Sequence, residues 1–380
     1  MRLLYWEWHS FLKKGVERAF EELNIEADHF FYQLDMDWEH NEEFKKAFLD
    51  KMRNNSYDAV FSVNYNPMIS DICESKGVPY YSWIYDSPIH IRDISSLKNS
   101  CNYAYFFDRE QAEAYNKAGF EVYYMPLAGD CETFAESIKG KPHGAMDISF
   151  VGQLYHTEYD YYMSPLSDYD RGYMEAIIES QRRLYGGYII PGMLGDEVMG
   201  RINAQYDKAS KGKVSIEERE LEYMLACEAT SRDRVSVLMS LSEKGDRDVN
   251  VFSGETDERL QRIKIHPYVD YYDTMPGVFA SSRINLNISL KCIRSGIPLR
   301  VFDILSCGGF LMTNYQSELY EYFTPGEELV VYGSTEEIPA LCDYYLRHED
   351  ERLRIAKNGL ERIKNDHSVK SRISKILGDR

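Results

Sequence analysis

Apolar and polar positions change rhythm repeatedly along the first third of the chain. Short apolar runs at Arg2–Trp6, His29–Leu34, Asp58–Val63, Tyr80–Ile84, Tyr103–Phe107 and Val122–Met125 predict strands. Between them, helical spacing covers Phe11–Leu23, Asn41–Arg53, Pro67–Lys76 and Arg109–Ala118. Pro67 suits a first helical turn, and Gly119 suits the stop after a last one. Strands that alternate with helices at such short intervals predict a parallel sheet covered on both faces, because each parallel crossover needs room for a helix.

From about Ala128 to Met146 the periodicity lapses, and Gly129, Gly140, Pro142 and Gly144 crowd together, which predicts a linker. A strand at Asp147–Gly152 opens a second region. Helical patterns at Gly172–Leu184, Leu194–Asp207 and Ile216–Cys227 then break the alternation and predict a helical insertion over about 155–230. Alternation returns with helix Arg232–Ser242, strands Val249–Phe252 and Ile263–His266, helix Tyr271–Ala280 and strand Ile284–Ile288. Helix Leu299–Ser306, strands Phe310–Thr313 and Leu329–Tyr332, and helices Thr335–Arg347, Glu351–Asn365 and Ser368–Leu377 finish the chain. The expected organisation is a domain over 1–140, a second over 141–367 with the insertion, and a final helix over 368–380 packing back on the first. The fold class is α/β: two Rossmann-like parallel-sheet domains facing across a cleft. Ligands of open α/β sheets collect at strand carboxyl ends, so the cleft is the expected site.

Charge narrows the partners. Among 380 residues, 44 Lys and Arg face 62 Asp and Glu, a net charge of −18. That field repels nucleic acid and anionic membrane, and an anionic small ligand would need a local basic pocket. The 31 tyrosines either pack or stack on sugars and flat rings. Seven scattered cysteines with no C-x-x-C read as reduced thiols, not as a disulfide framework or zinc site. The opening MRLLYWEWHSFLKKG lacks the apolar core of a signal peptide, and no apolar run reaches membrane-span length. The expected location is cytoplasmic.

The sequence lacks G-x-G-x-x-G, Walker A, G-x-S-x-G and H-E-x-x-H patterns. Asp35-Met-Asp37 and Asp168-Tyr-Asp170 are D-x-D triplets, but neither closes a clear strand, and no metal site is expected there. The informative segment is Ile284–Tyr332. Its strand leads into a loop with Lys291, Arg294 and Arg300, then a helix carrying Asp303 and ending at Gly308-Gly309. Three cations near a helix N-terminus suit a diphosphate; the alternative is solvated surface charge.

This segment resembles the C-terminal half of group 1 glycosyltransferases of the GT-B fold, in the branch of CgeB-like spore maturation proteins. The residues that carry the resemblance are Leu286-Asn-Ile288, Arg300-Val-Phe-Asp303, Cys307-Gly308 and Pro325-Gly-Glu-Glu-Leu-Val-Val-Tyr332. Similarity extends to Ile355–Ile373, to Ser149-Phe-Val-Gly-Gln153 and to Ser82–Pro88. The resemblance implies a nucleotide-sugar donor on the C-terminal domain and an acceptor on the N-terminal domain. It further implies retention of anomeric configuration, no essential metal, a UDP-sugar as the favoured donor, and a spore-surface, envelope or protein acceptor. Asp303 matches the family's ribose-binding acid, shortened from Glu. The family's other acid, eight positions earlier, falls on Ser295. A sugar-nucleotide epimerase and a non-catalytic coat protein of the same fold stay open as alternatives.

The remaining candidates come from strand ends. Gly152 and Gln153 close the first strand of the donor domain, where a missing side chain admits a phosphate. Tyr268, after His266-Pro267, or Tyr272 could stack on a base or simply pack. Asn287 shares a strand face with Asn285, and two buried asparagines favour a polar pocket. In the N-terminal domain, Trp6, Asn64, Asn66, Ser87 and His90 are acceptor-side candidates. Asp86 is the candidate acid, with helix capping as its other reading, and His9 the candidate proton carrier.

Overall fold

The structure is a computed structural model that describes residues 1–34, 37–53, 55–89, 91–140, 144–243 and 247–378. In chain order the first stretch runs β1 (Arg2–Glu7), α1 (Lys13–Glu22), β2 (Glu26–Phe31), α2 (Glu42–Arg53), β3 (Ala59–Val63), α3 (Pro67–Lys76), β4 (Tyr80–Ile84), β5 (Asn102–Phe106), α4 (Arg109–Lys117), β6 (Tyr123–Tyr124) and α5 (Cys131–Ile138). These six strands form one wholly parallel sheet in the order β2-β1-β3-β4-β5-β6. β3 and β4 are buried at every position, as strands covered on both faces must be. Local chemistry sets the helix ends. The Asn66 side chain accepts the Ile69 N–H at the start of α3, Pro67 holds its first turn, and Gly77 closes it at φ 63°.

The second stretch runs β7 (Met146–Val151), α6 (Tyr159–Met163), α7 (Asp168–Arg183), α8 (Ile190–Met193), α9 (Asp196–Ser210), α10 (Glu218–Ser242), β8 (Val249–Phe252), β9 (Lys264–His266), α11 (Met275–Ser281) and β10 (Ser282–Asn287). It continues with α12 (Leu299–Ser306), β11 (Leu311–Asn314), α13 (Leu319–Tyr322), β12 (Val330–Tyr332), α14 (Ile338–Arg347), α15 (Glu349–Asp366) and α16 (Val369–Gly378). Its six strands form a second parallel sheet, β12-β11-β10-β7-β8-β9.

The chain divides into two compact units. The first holds Met1–Glu136, Ser295–Ser306 and Glu361–Arg380; the second holds Ser137–Arg294 and Cys307–Leu360. Each sheet has its own core, one around Leu4, Trp6, Phe44 and Val60, the other around Ile148, Val251, Leu286 and Met312. The insertion α6–α9 has a third core with the first half of α10, and it takes in Leu290 and Cys292 from the loop after β10.

The parallel sheets agree with the alternation of the sequence. Three local expectations do not. The helices expected at Ile216–Cys227 and Arg232–Ser242 are one continuous α10, because no Gly or Pro between them breaks a helix, and the polar Thr230 is accommodated inside it by donating its Oγ1 to the Ala226 carbonyl at 2.7 Å. The expected linker contains α5, whose start is capped by Asp130 accepting the Thr133 N–H at 3.2 Å. β2 begins at Glu26 and ends at Phe31, three residues earlier than its apolar run suggests, in parallel register with β1. All seven cysteines are buried and free.

Candidate functional site

In the second unit the chain winds from β7 outward through β8 and β9, then returns to place β10 on the other side of β7. The crossovers therefore diverge between β7 and β10, and the carboxyl ends of these two strands form the crevice in which α/β sheets hold ligands. Arg234, on α10, lies there. It is buried, and its guanidinium donates to the Ile288 carbonyl after β10, through Nε at 3.1 Å and through Nη2, and to the Gln153 carbonyl after β7. It also sits over the Phe150 and Tyr155 rings at 5.1 and 4.7 Å. Gly152 adopts φ 155°, and a Cβ there would stand 3.7 Å from Arg234 Nη1, while the Gln153 side chain faces solvent.

Beside Arg234 is a second buried cation. Lys291 Nζ lies 3.1 Å from Asp233 Oδ2, donates to the Arg182 carbonyl at 3.1 Å, and stands 4.1 Å over the Tyr185 ring. Arg182 Nε shares Asp233 through Oδ1 at 2.8 Å. Burial lowers the Lys291 pKa below its ordinary value, against the pull of Asp233. Lys291 and Arg294 line a small, solvent-open pocket with Tyr185, Asn314, Tyr315 and Gln316. The insertion reaches this pocket through Gly186 at φ 74°, where a Cβ would come within 2.4 Å of the Tyr315 ring. Arg294 lies over Tyr188 at 5.6 Å.

On the other side of β7, the backbone N–H groups of Leu154, Tyr155 and His156 all donate to the Glu255 carboxylate, the last two at 3.1 and 3.0 Å. His266 ends β9 stacked on Phe252 and bonded to Asn250 Oδ1 at 2.8 Å. Tyr268 is 64% exposed, and Tyr272 packs edge-on to Tyr271. The two strand asparagines are satisfied from within the sheet. Asn285 accepts from Ser149 and donates to the Phe279 and Phe310 carbonyls; Asn287 donates to Ser289 and Thr313. Their cost of burial is met by neighbours, so a ligand is not needed to explain them.

The first unit has its own divergence point, between β1 and β3. Asn64, fully buried at φ 62° after β3, accepts the Tyr85 N–H at 3.0 Å and donates to Asp86 Oδ2 at 2.7 Å. One asparagine thereby fixes the turn after β4 and aims its carboxylate. Ser87 follows, buried. Trp6 is core, packed against Trp38 and Phe44 with its Nε1 on the Tyr32 carbonyl; it lies inside β1, which is buried on both faces of the sheet, so its ring is not open to an acceptor. Asn66 is spent on capping α3 and on the Trp38 carbonyl. His9 is exposed on the β2 side, edge-on to Phe31, with its N–H on Gln33. His90 lies outside the described residues.

The three cations expected around one helix are divided: Lys291 and Arg294 belong to the second unit, while α12 with Arg300 and Asp303 belongs to the first. Arg300 pairs with the buried Asp303 at 3.4 Å. Ser295, where the family's other acid would fall, is buried and bonds Asp108, the cap of α4, through N at 3.3 Å and Oγ at 3.1 Å. Of the D-x-D acids, Asp170 is bound by Arg201 and Gln205, and Asp35 lies outside the described residues. Among the described residues one group has metal-ligand spacing, Glu7, Glu17 and His29, and Lys13 already supplies its cation, 2.8 Å from Glu7. Sequence reasoning missed Asp233, Arg234 and Glu255. The available signal was a charged Asp-Arg pair entering the apolar run Val235–Leu238.

Residues 233–378 match the model of a family described as glycosyl transferase-like, a range that takes in Arg234, Lys291, Arg294, Arg300 and Asp303. No curated protein matches the sequence. Among solved structures, sucrose-phosphate synthase from Thermosynechococcus elongatus is similar with TM-score 0.57 at 10% identity, covering 100% of this chain and 98% of that one. The trehalose-6-phosphate synthase OtsA gives 0.58 at 12%, covering 100% and 98%. HepE from Anabaena, solved with UDP and glucose, gives 0.54 at 10%, covering 100% of both. At these identities the structures establish the GT-B fold. The glycosyl transferase-like model covers the C-terminal part of the chain, residues 233–378, and the activity that it suggests is taken up below as a proposal.

Proposed function

We propose that this protein transfers a sugar from a nucleoside-diphosphate donor, a UDP-sugar, to an acceptor held by the first unit, with retention and without a metal. The CgeB-like features of the sequence favour a spore-surface, envelope or protein-linked acceptor. The observation that carries the reading is the pair of buried cations, Arg234 and Lys291, beside the pocket at the β7 and β10 ends, in a chain of net charge −18. Cations at strand carboxyl ends neutralise a departing diphosphate, a service that magnesium performs elsewhere. HepE, with the same fold, has been solved with UDP-glucose. Calorimetry with UDP in EDTA and in Mg²⁺ tests this. The expected result is equal affinity in both, and binding that requires Mg²⁺ would overturn the metal-free reading. No UDP binding in either would overturn the donor.

A further inference from the structure

The first unit carries an aromatic group that the donor reading does not use. Trp8 follows β1, and its Nε1 donates to the Val63 carbonyl at the end of β3, at 2.9 Å, so the indole lies across the divergence point of the sheet. Tyr85 follows β4 and stacks on Trp8 with centroids 6.3 Å apart and planes 27° from parallel. Phe11 leans on Tyr85 at 5.7 Å, and Trp38 backs Trp8 edge-on at 4.9 Å. All four rings are only partly buried. Asp86, also partly exposed, is the next residue after Tyr85, and the buried Asn64 fixes both.

We propose that Trp8, Tyr85 and Asp86 form an acceptor-binding subsite, and that the acceptor group is a pyranose ring of a glycan. The inference rests on the glycosyltransferase reading and names its acceptor class. Rigid aromatic faces half in water cover the C–H face of a sugar at small entropic cost, since each ring has few torsions to lose. A positioned carboxylate accepts from sugar hydroxyls, and charged acceptors of that bond are stronger than neutral ones. The same carboxylate, in a chain of −18, repels a lipid phosphate. A peptide serine or threonine offers no ring face for two aromatic side chains.

Saturation-transfer NMR on the full chain tests this with methyl glycosides of glucose, galactose and N-acetylglucosamine, a serine peptide and an alkyl phosphate as probes. At least one glycoside should receive saturation on its ring protons, while the peptide and phosphate should not. Trp8→Ala and Tyr85→Leu should each weaken that binding at least tenfold, with Trp8→Phe retaining part of it and UDP affinity unchanged. A folded Trp8→Ala with normal glycoside binding, no glycoside binding in the native chain, or preference for the peptide or phosphate would each overturn the subsite. If the glycosides behave as expected but UDP never binds, the donor reading fails and the sugar subsite stands.

Discussion

Asp257 shows what a single residue contributes to the loops at the second unit's strand ends. Its side chain is almost wholly covered, accepts two bonds from the Arg259 guanidinium at 2.9 and 2.6 Å, and lies 3.2 Å from His156 Nε2. The Arg259 bonds, with a backbone N–H, hold its carboxyl down at about 2. A depressed folded pKa means stability that is fully present above the ordinary carboxylate range and disappears as pH falls through about 2. Arg259 is more than half exposed, so solvent screening leaves about 1 kcal/mol at neutral pH. Asp257→Asn should therefore be less stable than the native chain in urea at pH 6, and roughly half of that difference should be gone at pH 3. A difference that does not change with pH would assign the effect to packing. Neighbouring Glu255 acts by a different route, covering three consecutive N–H groups that would otherwise need water.

At the scale of elements, α10 joins the insertion to the sheet, and its two halves differ in what they bury. Its first half packs into the insertion core through Leu221 and Leu225, its second half into the sheet core through Val235 and Leu238. Arg234, near their junction, ties the ends of β7 and β10 to that helix. Arg234→Ala would leave the Gln153 and Ile288 carbonyls without this donor, at a cost of about 2 kcal/mol. The variant should melt several degrees lower and bind UDP at least tenfold more weakly, while Arg234→Lys, which cannot fork to two carbonyls, should recover little of either. Unchanged UDP affinity in a folded variant would restrict Arg234 to a structural role. The alternation of strands and helices was legible in the sequence because period 2 and period 3.6 are local properties. The insertion was legible as an absence of strands. The role of Arg234 was not, because its partners are carbonyls 81 and 54 residues away and carbonyls leave no trace in residue type. Trp6 misled for a related reason: in Trp6-Glu-Trp8 both indoles share one strand parity, and only the end of β1 separates the core ring from the half-exposed one.

At the scale of the whole molecule, the N-terminal unit is completed by the last residues of the chain. α16 buries Val369, Ile373, Ile376 and Leu377, and it packs on α1, where Gly15 leaves room for Val369. Lys370 pairs with Glu22 at 3.0 Å, and Arg372 Nε donates to the Leu127 carbonyl at 3.4 Å. Covering four aliphatic side chains contributes about 6–12 kcal/mol, which is of the size of a whole domain's net stability. A chain ending at His367 should therefore lose a stable first unit while the second unit, which lacks any of these contacts, still melts cooperatively. The four tryptophans, Trp6, Trp8, Trp38 and Trp83, all lie in the first unit, so their fluorescence reports on it alone. The truncated chain should show red-shifted tryptophan emission at 25 °C, or a tryptophan transition at least 10 °C below that of the full chain. Its far-ultraviolet dichroism should keep a second transition near the original temperature. Tryptophan emission that melts at the full-length temperature would show that α16 is dispensable to the unit it covers.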